Sequence, residues 1–501
     1  MTHHFTRRGF LAGGAALSAA PFFANTAKAQ TSILSLTAGS RTLDIGGRAA
    51  TVYGLTNASG GAGLILDPSQ RFRVDLSNTL DVETLIHWHG QIPPNMQDGV
   101  PDMPMPKLAR GEMRSYDFAP QPGTHWMHSH IPTQEMQLLA APLIVRTAED
   151  VAEDRQEVVM FLHDFSFQAP EEVLARIAGA MPGADVLPGM TMDGSNHGAM
   201  DMGGMDHGSM GGMTMGNMDH NAMGGMAMDL NDFDFDAYLV NDRTLTDPQV
   251  VPVEVGGRVR LRIINAAAAT SFWIDTGAVK GTLRAVDGHD VHPVTGRRFG
   301  IAMAQRLDIL LDLPAGQGAF PVLARREGTR DQSGLILATK GANVSRIDEL
   351  GDTQSPAFDL DLMQERGLRA MQPLEDRPVV SAEMVMLGGA MSPYVWTING
   401  QTWDNHVPIS VRSGDRVELT FHNMSMMGHP MHLHGHVFQV VAINGQRFSG
   451  ARRDTVYVPP MAQVTVALDA GEAAQWMLHC HHMPHLASGM MTTLNVQPKS
   501  T

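Results

Sequence analysis

Short runs of alternating apolar and polar residues, broken by turn-forming residues, extend along most of the chain and predict β-strands rather than helices. Three of these runs end in Asn: Arg73-Val74-Asp75-Leu76-Ser77-Asn78, Arg260-Leu261-Arg262-Ile263-Ile264-Asn265 and Glu418-Leu419-Thr420-Phe421-His422-Asn423. Each reads as a half-buried strand and is followed by a second apolar-aromatic strand. That strand is Ile86-His87-Trp88-His89 in the first copy, Phe272-Trp273-Ile274 in the second and His429-Pro430-Met431-His432-Leu433-His434 in the third. A second repeat joins the two ends of the chain. His128-Ser129-His130 precedes Leu143-Ile144-Val145 by the same 13 residues that separate His479-Cys480-His481 from Leu494-Asn495-Val496. The repeats predict an all-β protein of three β-sandwich domains, placed at 31–148, 155–342 and 375–499, with 343–374 as a linker.

Length agrees, since 501 residues exceed one ordinary core. The 51 Gly and 29 Pro suit a loop-rich β architecture. A net charge of -16 argues against nucleic acid as a partner, because a phosphate backbone needs a basic face. Residues 1–29 are read as a twin-arginine signal peptide: Arg7-Arg8, then an apolar Ala-rich stretch, then Ala27-Lys28-Ala29 before Gln30. The expected location is the periplasm. No other apolar stretch reaches the roughly 18 residues of a membrane span.

Two counts alter the picture: 36 Met and a single Cys. One Cys cannot form an intramolecular disulfide, and Cys480 sits between two histidines. Residues 190–228, an insertion in the second domain, hold 12 Met, 10 Gly, 4 Asp and 3 His. Gly at this density does not order a backbone cheaply. Cu(I) is soft and prefers thioether sulfur, so Met192, Met202, Met205 and Met210 of this segment are candidate copper collectors.

The chemistry lies in four motifs: His87-Trp88-His89, His128-Ser129-His130, His429-x-x-His432-x-His434, and His479-Cys480-His481 with His485 and Met490. Strand residues i and i+2 share a face, so each His-x-His pair aims two imidazoles to one side. Within the last motif Cys480 must point away from His479 and His481, so one tripeptide serves two sites. Cys480, His429 and His485 with a weak Met490 thioether form a blue-copper ligand set. Eight histidines remain, enough for a three-ion cluster. They are split between the two ends of the chain, so the first and third domains must meet. Structural zinc instead favours four ligands in one compact module.

These motifs resemble those of the multicopper oxidases, the family of laccases, ascorbate oxidase and the bacterial periplasmic cuprous oxidases of copper efflux. The resemblance covers nearly the whole mature chain and implies three cupredoxin-like Greek-key domains and four copper ions. It implies His87 and His432 on type 2 copper, and His89, His128, His130, His434, His479 and His481 on the type 3 pair. It implies His429, Cys480 and His485 on type 1 copper with Met490 axial. Cys480, His479 and His481 would link the sites for electron transfer, and Asp98 matches a carboxylate that assists proton delivery. Met424, Met426 and Met427 precede His429, and Met427 matches a Met that binds substrate Cu(I) in cuprous oxidases. Ser425 stands where those relatives have Asp, and Leu486 where some carry a carboxylate. In efflux oxidases the Met-rich segment also lies further along the chain.

The implied activity is oxidation of Cu(I), and of phenols in vitro, coupled to four-electron reduction of O2 to water, by a monomer serving copper tolerance. A phenol-oxidising laccase with a copper-acquiring Met segment is the alternative within the class. A non-catalytic copper-sequestering protein is the alternative outside it. A copper-free cupredoxin scaffold and a two-domain nitrite reductase fit the ligand count less well.

Overall fold

A computed structural model describes residues 33–179 and 230–499. The expected signal peptide and the Met-rich segment 190–228, with Met192, Met202, Met205 and Met210, lie outside the described residues. The described chain is mainly strand, arranged as six sheets in three facing pairs. Each pair closes on its own apolar core. One centres on Phe72, Trp88 and Met127, the second on Leu261, Phe272 and Ile309, the third on Phe421, Phe438 and Leu478. Two parallel pairings recur in every sandwich. Leu34–Ile45 lies beside Phe72–Asn78, Gln156–Phe165 beside Arg258–Asn265, and Ser381–Met391 beside Arg416–Asn423. The second set joins Leu64–Leu66 to Ala140–Val145, Val250–Val253 to Gln332–Thr339, and Ile409–Arg412 to Met491–Gln497.

The three Asn residues end equivalent strands and do the same work. Each Oδ1 accepts the backbone N–H two residues on, from Leu80 (2.9 Å), Ala267 (3.1 Å) and Ser425 (2.9 Å). Each Nδ2 donates to a carbonyl across the sandwich end, of Leu108 (2.8 Å), Ile301 (3.2 Å) and Val458 (3.2 Å). A buried amide is thereby satisfied where the strand leaves the sheet.

One strand departs from the expected half-burial. Arg258–Asn265 is buried along all but its first residue. Its polar face meets the first sandwich: Arg262 Nη1 donates to Thr124 Oγ1 (3.0 Å) and Asp308 Oδ2 (3.0 Å), and Nη2 to Glu157 Oε1 (2.8 Å). The alternation therefore marks the two faces correctly, but both faces are covered. The stretch 343–374 is also more than a tether. Phe358 stacks edge-on between Trp273 (4.9 Å) and Tyr457 (5.4 Å), and the helix Met363–Gly367 brings Glu365 to Arg453 (2.9 Å). It seals the middle sandwich against the third.

Arg306 ties all three sandwiches together. Fully buried, it donates to Thr124 O in the first (3.2 Å), Ala304 O in its own (3.0 Å) and both carboxylate oxygens of Asp454 in the third. Gly90, at φ +83°, lies against this junction, where a Cβ would collide with His125 and Arg306. No helix among the described residues is long and apolar enough to cross a membrane.

Candidate metal centre

The four histidine motifs converge at the seam between the first and third sandwiches. The strand Gln475–Cys480 turns Cys480 into the third core, beside Met431 and Met490, and His479 to the seam. Cys480 Sγ lies 3.7 Å from both His429 Nδ1 and His485 Nδ1, which are 3.1 Å apart. All four side chains, Met490 included, are buried. Burial pushes the Cys480 thiol up and His485 well down, and His429 down to about 3. The backbone N–H of His482 donates to Sγ (3.4 Å).

Ser425 fixes the tautomer of His429. Asn423 Nδ2 is spent on carbonyls, so Asn423 Oδ1 must accept the Ser425 hydroxyl (2.8 Å). Ser425 Oγ is then left to accept from His429 Nε2–H (2.9 Å), which turns the Nδ1 lone pair toward Cys480.

The remaining eight histidines face one another across the seam. Nε2 atoms lie 3.4 Å apart across the seam for His87–His432 and 3.3 Å for His130–His479, and 3.1 Å apart within the third sandwich for His434–His479. Three ligand-like groups result: His87/His89/His432, His89/His128/His481 and His130/His434/His479. Outward nitrogens donate to fixed acceptors. His87 Nδ1 reaches Asp98 O (2.9 Å), His432 Nδ1 reaches Asp454 O (2.9 Å), and His479 Nδ1 reaches Cys480 O (2.9 Å). His89 is anchored the other way round, its Nε2 contacting Asp454 Oδ1 (3.1 Å) and its buried Nδ1 left without a partner among the described residues. His128 Nε2 and both nitrogens of His481 likewise have no hydrogen bond among those residues.

Burial holds His89, His128, His130, His432, His434 and His481 well below their ordinary pKa, and His479 at about 3. Neutral imidazoles with inward lone pairs at these separations repel unless a cation lies between them. The donor set therefore fits bound metal, and imidazole with one thiolate and one thioether fits copper.

Among the described residues, three buried carboxylates surround the eight histidines, and each spans one His of the first sandwich and one of the third. Asp98 lies 3.5 Å from His87 and 2.8 Å from His434. Asp454 lies 3.1 Å from His89 and 3.6 Å from His432. Glu135 lies 2.7 Å from His128 and 3.8 Å from His481, and burial drives its carboxyl well above the usual range. Only Asp98 is a candidate from sequence. Asp454 carries no spacing signal of its own, and Glu135 only its six-residue offset from Ser129. A cavity of about 370 Å³, lined by His130, Ile131, Met477, Trp403 and Leu486, opens beside the cluster.

Of the methionines ahead of His429, Met424 and Met426 are exposed, whereas Met427 is buried in the third core. Sequence reading also misses Asp232, four residues past the Met-rich segment. Its buried Oδ2 accepts from Tyr394 Oη (2.5 Å) and lies 3.6 Å from His485 Nε2 and 3.7 Å from His482 Nε2. Burial raises its carboxyl to about 6.

Profiles described as multicopper oxidase match residues 38–150, 216–346 and 376–500. Multicopper oxidase MmcO of Mycobacterium tuberculosis is 30% identical over 521 residues, covering 98% of this chain and 96% of that protein. Copper resistance protein A of Escherichia coli is 24% identical over 525 residues, covering 84% and 85%. A solved multicopper oxidase of Pseudomonas thermotolerans superposes with a TM-score of 0.66 at 21% identity, covering 92% of this chain and 98% of that one. Fet3p, a multicopper oxidase of iron import, gives 0.70 at 17%, covering 92% and 90%. The chain belongs to the multicopper oxidase family, copper-containing oxidoreductases that use O2.

Proposed function

We propose that this oxidase takes its electrons from Cu(I) and serves copper tolerance. The observation that carries this reading is Asp232. The chain leaving the Met-rich segment brings a buried carboxylate to the outer edge of His485, 3.6 Å from Nε2. A segment rich in soft thioethers is thus tied within four residues to a ligand of the electron-accepting site. Met424 and Met426, both exposed, precede the other proposed ligand, His429, by five and three residues.

His429, Cys480, His485 and Met490 would hold one copper. His87 and His432 would hold a second, and His89, His128, His130, His434, His479 and His481 a pair. Bound copper supplies one-electron redox chemistry at the first site and O2 binding at the cluster. The chain does the rest. Cys480 joins the two ligand sets through its own backbone, and His479 Nδ1–H folds back on Cys480 O to shorten that route. Asp98, with Oδ2 on His434 and a buried Oδ1 3.5 Å from His87 Nδ1, would relay protons at the edge of the cluster. The cavity beside His130 would give O2 access to the cluster. Export to the periplasm by the twin-arginine route, and a monomeric state, complete the proposal.

O2 consumption by the copper-loaded chain, with Cu(I) and with a phenol, tests it. Deletion of 190–228 is expected to slow Cu(I) turnover and spare phenol turnover. Equal rates with Cu(I) before and after deletion would exclude the segment as a collector. Turnover of phenol alone would make the protein a laccase, and copper binding without O2 uptake a sequestering protein.

A further inference from the structure

Among the three carboxylates around the histidine cluster, Glu135 stands apart. Asp454 is matched by the Arg306 guanidinium and by the Thr455 hydroxyl (2.9 Å). Asp98 Oδ2 makes a hydrogen bond with His434 Nδ1 (2.8 Å). Glu135 is buried to 2% exposure, has no Lys or Arg partner among the described residues, and neither oxygen receives an aligned hydrogen bond there. His128 Nδ1–H points to Ser129 O (3.0 Å), while Glu135 Oε2 sits 2.7 Å from the same nitrogen. Oε1 faces His481 Nδ1 at 3.8 Å.

The side chain is held there deliberately. It ends the short helix Pro132–Glu135, whose Gln134 is locked from three sides. Thr84 and Ser129 hydroxyls donate to its Oε1 (2.7 and 2.8 Å), and its Nε2 donates to Glu83 O (2.7 Å). With no cation beside it, the charged form of this buried carboxyl is disfavoured in the metal-free protein. A cation held by His128 and His481 removes that penalty.

We propose that Glu135 is the positioning and charge-balancing carboxylate of the His89/His128/His481 face. It holds His128 and His481 with their Nδ1 edges outward and raises the affinity of that face for positive charge. The inference rests on the copper reading above and concerns a residue no ligand motif contains.

The test is Glu135→Gln, an isostere without charge, in the full chain. Copper titration should show the histidine cluster loading roughly 10–100-fold more weakly, the usual effect of removing a partner of a metal-bound imidazole. The thiolate-to-copper absorption from Cys480 should be unchanged, because that site is separate. The metal-free variant should unfold at the same or a higher temperature than the metal-free parent, so the rise in Tm on copper loading shrinks. Two results overturn the inference. One is unaltered cluster affinity with an unaltered Tm rise. The other is an equal loss of Tm with and without copper, which marks a purely structural residue. Failure of the parent chain itself to bind copper would instead overturn the oxidase reading.

Discussion

Ser129 Oγ donates to Gln134 Oε1 at 2.8 Å, across the same five-residue spacing that sets Cys480 Sγ 3.7 Å from His485 Nδ1. The correspondence extends to every member of the Cys480 site. Thr84 donates to the same Gln134 oxygen (2.7 Å) and precedes His87 by three residues, as His429 precedes His432. Ser129 N–H reaches Leu139 O (2.9 Å), as Cys480 N–H reaches Met490 O (3.1 Å). Ile86 pairs with Ser129 as Met431 pairs with Cys480. The first sandwich thus repeats the geometry of the Cys480 site with two hydroxyls and an amide that hydrogen-bond one another, and a leucine in place of Met490.

That repeat can be converted. Thr84→His, Ser129→Cys and Gln134→His together, in a Cys480→Ser background, should restore a thiolate-to-copper absorption in the visible, now from the first sandwich. Leu139 would take the place of Met490. A copper-loaded variant with no visible band sinks the claim of equivalence.

The histidine motifs are legible because a metal site on a strand demands i, i+2 pairs, and four such motifs with the only Cys are hard to explain otherwise. The Asn-ended strands are legible because each Asn closes the same sandwich corner. Glu135 and Asp454 are not, since a lone carboxylate has no period. The only signal for Glu135 is its offset: it follows Ser129 by six residues, as Leu486 follows Cys480. Burial of Arg260 and Arg262 escapes the pattern because the covering surface belongs to another sandwich. Met427 looks like Met424 and Met426 in sequence. The structure separates them, with Met427 turned into the core.

Cys480→Ser removes the single thiolate. The visible charge-transfer band should vanish, and O2 consumption with any donor should fall to background. On the proposed loading of four ions, copper content should fall by roughly one in four, because a hydroxyl is a poor ligand for a site of this softness. Metal analysis beside the absorption spectrum checks it, and retention of O2 turnover would contradict the route through Cys480.

Arg306→Met leaves Asp454 charged and buried at the three-way junction. The loss should be about 3–5 kcal/mol in urea unfolding, the usual cost of breaking a buried pair from one side. His89 also loses its fixed anchor, so cluster copper should load more weakly. Adding Asp454→Asn removes the stranded charge and should recover part of the stability. A single variant within about 1 kcal/mol of the parent would show that the junction is not held electrostatically.

Glu327 gives a pH test away from the metal ligands. It is buried, which drives its carboxyl from 4.5 up to about 7, and the Phe358 N–H donated to Oε1 (2.6 Å) offsets this only in part. The folded pKa lies above the unfolded one, so the neutral acid favours folding below pH 4.5, and that advantage is lost as pH rises through 7. At pH 8 the buried carboxylate opposes folding by roughly 3 kcal/mol, about 1.4 kcal/mol per pKa unit. Glu327→Gln keeps the Oε1 acceptor and never ionises. It should match the parent near pH 4 and exceed it by up to roughly 3 kcal/mol at pH 8 in urea unfolding. A difference that does not grow between those two pH values would show that Glu327 is not an ionised burden on the folded state.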